Sequence, residues 1–152
     1  MADLNLIGGK TMSNEAIMVV ELDKIAKQRP RTNFYTRSIY TPTQTKRREK
    51  IIAQEFRIQN RDWVCDDSAV EVEIIASLPI PKSASKKKQL QMLIGKILPT
   101  VKPDVDNILK LVLDALNGVA YNDDKQIIRE ELIKIYGEES KIKIVVRKYC
   151  NL

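Results

Sequence analysis

The 152-residue chain contains no histidine. That absence removes a Ser–His–Asp or Cys–His centre and any zinc site built on imidazole. A catalyst in this chain has only carboxylates, Lys, Arg, Tyr or a metal held by oxygen ligands to work with. Cysteine is nearly absent too: Cys65 and Cys150 form neither a metal spacing nor a disulfide framework, and read as free thiols in a reducing cytoplasm. No stretch approaches the ~18 uninterrupted apolar residues that a membrane span requires. The N-terminal MADLNLIGGKTMSNEA has no basic start leading into an apolar run, which argues against a secretory signal. Neither GxxxxGK[ST] nor GxGxxG occurs, so no nucleotide cofactor is expected. There is no internal repeat and no low-complexity linker.

What remains is an ordinary globular composition, 43% hydrophobic and 30% charged, at a length suited to one domain. The formal charge of +6 is unevenly spread. Residues 104–140 hold nine acids against four bases, while the rest of the chain holds 22 bases against 11 acids. Between Glu73 and Asp104 there is no acid, yet Lys82, Lys86, Lys87, Lys88, Lys96 and Lys102 fall there. A second basic stretch carries Arg29, Arg31, Arg37, Lys46, Arg47, Arg48 and Lys50. Each base taken singly reads as solvated surface; the two clusters together favour a polyanionic partner, nucleic acid first.

Residues 1–16 read as a flexible N-terminal tail and 17–152 as one compact α/β (α+β) domain, a mixed β-sheet packed with helices. IMVVELD (17–23) reads as a first strand and Thr43–Asn60 as a surface helix with Ile51, Ile52, Phe56 and Ile58 as its apolar positions. AVEVEIIAS (69–77) alternates like a strand with one wet face, closed by Pro79 and Pro81. Ser83 or Ser85 can cap a short basic helix that ends near Gly95. A longer helix from about Asp104 to Asn117 has Gly118 as its stop. QIIREELIKIYG and KIKIVVRKY read as a closing β-hairpin. The aromatics Phe34, Tyr35, Tyr40 and Trp63 admit stacking on unpaired bases, with core or loop packing the favoured reading.

The acidic region sharpens the question. In KPDVDNILK, residues 102–110, an extended backbone through Asp106 points the Asp104 and Asp106 carboxylates to one side; a helix starting at Asp104 splays them around its N-terminus. Lys110 lies one turn beyond Asp106 and Asp114 one turn beyond Lys110. Helix capping, an exposed ion-pair ladder and turn residues at Asp123–Asp124 account for each acid taken alone. Two features favour a metal. A bare acidic cluster repels phosphate, and a bound Mg²⁺ reverses that sign. Without histidine, metal-activated water is the most economical nucleophile. An EF-hand is excluded, because Leu109 stands where its glycine belongs and Ala115 where its final glutamate belongs.

K-P-D-x-D-N-x-x-K (102–110), then D-A-L-N-G (114–118) and Y-x-D-D-x-Q (121–126), resembles the core of the RusA family of Holliday junction resolvases, enzymes that phages and prophages commonly carry. With the first strand, the RPR loop and its aromatics, and the lysine-rich 81–88, the resemblance spans roughly residues 17–148. It implies a compact cytoplasmic homodimer with Mg²⁺-dependent endonuclease activity on branched DNA, Mn²⁺ being able to substitute, and cutting by paired nicks. It places the metal ligands at Asp104, Asp106 and Asp124, with Asp123 in reserve, and the essential lysine at Lys110. Arg29, Arg31, Lys86, Lys87 and Lys88 are the expected DNA-backbone contacts. The competing readings are a DNA-binding module without catalysis and a nuclease acting mainly on forks or flaps.

Overall fold

Ala16, Met18 and Val20 are buried while Ile17 and Val19 face water, so the segment Glu15–Glu21 folds as a strand with one dry face. It is the third strand among the described residues. The computed structural model describes residues 5–7, 10–25, 31–40 and 42–149. Within them, β1 (Asn5–Ile7) and β2 (Lys10–Met12) form a small antiparallel ribbon inside the stretch read as a tail, and β3 is Glu15–Glu21. The hairpin strands β4 (Arg31–Asn33) and β5 (Ser38–Tyr40) precede α1 (Thr43–Gln59). Then come β6 (Val70–Pro79), α2 (Lys86–Leu93), α3 (Val105–Leu116), a 3-10 turn at Asp124–Gln126, β7 (Ile127–Gly137) and β8 (Lys141–Lys148).

The main sheet has the order β3-β8-β6-β7. β8 runs antiparallel to both β3 and β6, whereas β6 and β7 are parallel. This is the mixed sheet the sequence suggested, with one correction. β7 and β8 are not a hairpin: the chain leaves β7 at Gly137, passes residues 138–140 and enters β8 on the far side of β6. Burial is the reason. Ile142, Ile144, Val145 and Val146 are all buried, a run suited to a central strand, while β7 is largely exposed and takes the edge. The parallel β6–β7 pair needs a crossover, and the segment carrying α2 and α3 supplies it.

Two strand ends also differ from the pattern. β3 begins at Glu15 because its pairing with β8 runs from Glu15–Arg147 to Glu21–Lys141. β6 runs through Pro79, whose missing N–H is harmless at the last position, since the next residue, Ile80, donates to the Gly137 carbonyl at 3.1 Å.

The core lies between one sheet face and the helices α1 and α3. Ile52 and Phe56 of α1 meet Ile108, Leu111, Val112, Ala115 and Leu116 of α3 above the inward residues of β3, β6 and β8. Ile58 stays exposed, off this stripe. Trp63 packs as expected: its ring meets Phe56 edge-on at 6.0 Å, and its Nε1 donates to the Ala120 carbonyl at 2.9 Å. Phe34 and Tyr35 do the opposite and stand in solvent. The edge strand β3 is shielded by amides at the end of α1. Gln59 and Asn60 each both accept from and donate to its backbone, at Val19 and Ile17, so they stand in for a neighbouring strand.

Candidate metal and nucleic-acid site

Asp104 adopts φ −71 and ψ 148, extended backbone at the N-cap, and the helix begins at Val105. Extended entry and helical continuation thus meet between the two aspartates. The Asp104 side chain makes no capping hydrogen bond, so its carboxylate is not spent on the helix it introduces. Asp106 sits in the first turn, where the helix dipole favours an anion. Lys110, one turn later, places Nζ 3.5 Å from Asp106 Oδ2, and both side chains are about two-thirds exposed. A pair this exposed contributes only ~0.3–0.5 kcal/mol, so it does little for the fold.

The approach to α3 is held from the sheet. Lys134 of β7 donates Nζ to the carbonyls of Val101 at 2.7 Å and Pro103 at 3.0 Å. Its role was not readable from the sequence, because backbone carbonyls leave no side-chain pattern to match.

The second acidic element follows α3. Tyr121 is fully buried, and its hydroxyl donates to the Leu113 carbonyl at 2.8 Å. Burial pushes the phenol well above its usual range, and the nearby Asp124 and Asp114 charges push it further. Asp123 caps the 3-10 turn, accepting from the Lys125 N–H at 3.0 Å, a bond that holds its carboxyl below the usual range. Gln126 completes the capping box through Oε1, which accepts from the N–H groups of Asn122 and Asp123. Its Nε2 donates to the carbonyls of Asp66 and Ser68. Asp124 is exposed and takes no part in this cap. Tyr121 and Gln126 belong to the Y-x-D-D-x-Q motif, but spacing alone assigned them no role.

Asp106 and Lys110 therefore pair at the start of α3, with Asp104 at the N-cap of the same helix, and Asp124 is not gathered with them. It stands by Tyr121, whose anchor at Leu113 lies about 10 Å of helix rise beyond Asp106. Among the described residues no three Asp, Glu, His or Cys side chains stand close enough to hold a metal ion. The donor chemistry of the Asp104–Asp106 pair suits a hard cation: exposed carboxylates on one helix end, one of them without a hydrogen-bonding task.

The basic residues lie on other elements. Lys86, Lys87 and Lys88 fill the first turn of α2, all exposed, and Ser85 caps that helix by accepting from the Lys88 N–H at 3.4 Å. Neither α1 nor α2 has an acid in its first turn, and α1 carries Lys46 and Arg47 close behind its start. Bases at a helix N-terminus oppose the dipole, so local stability does not account for them, whereas a bound polyanion relieves the clash. Arg31 is exposed on β4, and Arg29 lies outside the described residues. None of the described helices is long and apolar enough to cross a membrane.

The chain is similar to the uncharacterized protein YqaN of Bacillus subtilis (strain 168), at 32% identity over 130 residues, covering 83% of this chain and 91% of that protein. Residues 21–147 match the family described as endodeoxyribonuclease RusA. A match over that much of the chain takes in the aspartate–lysine helix, the Tyr121–Gln126 loop and the basic elements together, so the chain belongs to the RusA family of endodeoxyribonucleases, nucleases that act on DNA junctions.

Proposed function

We propose that this protein is a Mg²⁺-dependent endonuclease that resolves four-way DNA junctions by paired nicking, with Mn²⁺ able to substitute. It would act in recombination, repair or phage DNA processing, in the cytoplasm of a bacterial or phage-infected cell. The observation that carries the reading is the pair of exposed aspartates, Asp104 and Asp106, at the start of α3 with Lys110 one turn behind.

Asp104 and Asp106 would hold the cation; Asp124, the third donor that the resemblance implies, stands apart from them in this structure and would have to approach to complete the set. Asp123 is the weaker candidate because its carboxylate already caps the following turn. When bound, the metal supplies activation of a water nucleophile and neutralisation of the scissile phosphate. Lys110, which balances Asp106 in this structure, would stabilise the negative charge building on the phosphate in the transition state. Arg31, Lys86, Lys87 and Lys88, with Arg29, would hold the DNA backbone and orient it toward the acids. The expected products carry 5′-phosphate and 3′-hydroxyl ends. Two subunits about a two-fold axis would place one such site on each of two opposed strands.

Cleavage of a synthetic four-way junction, titrated with Mg²⁺, tests this. The parent should cut in opposed strands, while Asp106→Asn should lose cutting and keep or gain affinity, since it removes a charge that repels phosphate. An Asp106→Asn protein that cuts as well as the parent would falsify the assignment. Parallel trials on forks, flaps and duplex establish which DNA is preferred.

A further inference from the structure

β4 and β5 pair antiparallel, with Asn33 opposite Ser38, and Phe34, Tyr35, Thr36 and Arg37 form the tip between them. Polar atoms close this tip. Asn33 Oδ1 accepts from the N–H groups of Tyr35 at 2.9 Å and Thr36 at 3.3 Å, and the Thr36 and Ser38 hydroxyls meet at 2.7 Å. Arg37 completes the turn at φ 53. None of these contacts uses an aromatic ring. Phe34 is 90% exposed and Tyr35 100%, so both rings are held in water by a turn that does not need them.

The surroundings state what such rings can meet. Residues 31–40 carry Arg31 and Arg37 and no acid, and Lys46, Arg47 and Lys50 are exposed on the helix that follows. Two aromatic faces inside a cationic field suit nucleobases attached to a phosphate chain better than an apolar protein surface. In linear duplex each base already has stacked neighbours, and an entering side chain has to part them. At a four-way branch point that stacking is interrupted, so entry there is easier.

We infer that Phe34 and Tyr35 form a wedge that stacks on bases at the branch point of a DNA junction and makes the hairpin a determinant of selectivity for branched over linear DNA. This rests on the reading of the chain as a junction nuclease, yet it concerns binding and not the acidic site. The rings read the branch, while the surrounding bases hold the backbone whatever its shape.

The test compares affinities for a four-way junction and for linear duplex of the same sequence in metal-free buffer, where nothing is cut. Replacing Phe34→Ala and Tyr35→Ala together should lower the junction-to-duplex affinity ratio roughly tenfold or more, the scale of one or two lost base–aromatic stacks. The thermal midpoint should not move. Phe34→Trp with Tyr35→Trp should keep the ratio, and Phe34→Leu with Tyr35→Leu should not. A parent without junction preference, an alanine pair that retains it, or full rescue by the leucine pair overturns the wedge. If the wedge variants behave as expected while the parent fails to cut at any Mg²⁺ concentration, the wedge stands and the nuclease reading falls.

Discussion

The Tyr121 hydroxyl, donating to the Leu113 carbonyl at 2.8 Å, fastens the loop that carries Asp123 and Asp124 to the third turn of α3. The same carbonyl also accepts from the Asn117 N–H at 3.1 Å, so removing the phenol oxygen does not orphan it. Tyr121→Phe should therefore lower unfolding stability by only about 1 kcal/mol. Tyr121→Ala also empties a fully buried site and should lower it by about 3–5 kcal/mol. Denaturant midpoints for the two variants distinguish an anchoring bond from a packing anchor.

The two neighbouring acids are expected to separate by role. Asp124→Asn should suppress junction cleavage on the order of a hundredfold or more at an unchanged thermal midpoint. Asp123→Asn retains an oxygen that can accept from the Lys125 N–H, so both folding and cleavage should stay near the parent. Single-turnover rates on a junction, read beside melting curves, check the pair; the reverse ordering would make Asp123 the ligand.

Lys134 holds the backbone just before Asp104 through two hydrogen bonds, to the Val101 and Pro103 carbonyls, and is expected to act as a positioning residue. Lys134→Ala frees the carbonyls of Val101 and Pro103 and loosens the entry to Asp104. Cleavage at saturating enzyme should drop roughly ten- to a hundredfold, the scale of a misplaced site, with junction affinity almost unmoved. Loss of affinity in equal measure would instead assign Lys134 to the DNA surface.

Acid should expose the Arg48–Asp23 pair. Arg48 Nε and Nη2 grip the Asp23 carboxylate at 2.8 Å and 2.9 Å, which holds its pKa at about 2 against the ordinary 3.8. The unfolded chain then takes up this proton first as pH falls. The pair's contribution is present above the unfolded value of 3.8 and is lost as pH drops from there through about 2. Asp23→Asn should flatten the stability profile over that window. At neutral pH it should lower stability by about 1 kcal/mol, because Arg48 is buried but the Asp23 carboxylate is 72% exposed and solvent screens the pair. Chemical denaturation across acidic pH checks both effects.

Salt reads the α2 lysines. Each phosphate contact adds about 0.9 to the slope of log affinity against log salt. Replacing Lys86, Lys87 and Lys88 by Gln should reduce that slope by roughly 2–3 if all three touch the backbone. An unchanged slope would remove α2 from the interface.

Much of this protein was legible locally. The stop of α3 is set by Gly118 at φ +76, a conformation that L side chains rarely adopt. The cap of α2 is Ser85, and the buried face of α3 follows its three-and-four spacing. Asp104, Asp106 and Lys110 were readable because they share one element, so their spacing is their geometry. The β7–β8 arrangement was not, since a tight turn between two strands looks the same whether they pair or straddle a third. Trp63 and the pair Phe34 and Tyr35 are aromatics of similar appearance in sequence; Phe56 and Ala120 come to meet the first, and none of the described residues covers the other two.

By itself, then, the sequence determined the chemistry on offer: carboxylates and no imidazole, one lysine a helical turn from an aspartate, and bases spread over the remaining chain. Tertiary structure alone decided where Asp124 stands relative to Asp104, which strand takes the sheet centre, and which rings meet water. Short-range geometry follows from the repeat of a helix or strand, whereas long-range placement depends on which apolar faces bury one another, a choice made only by the whole chain at once.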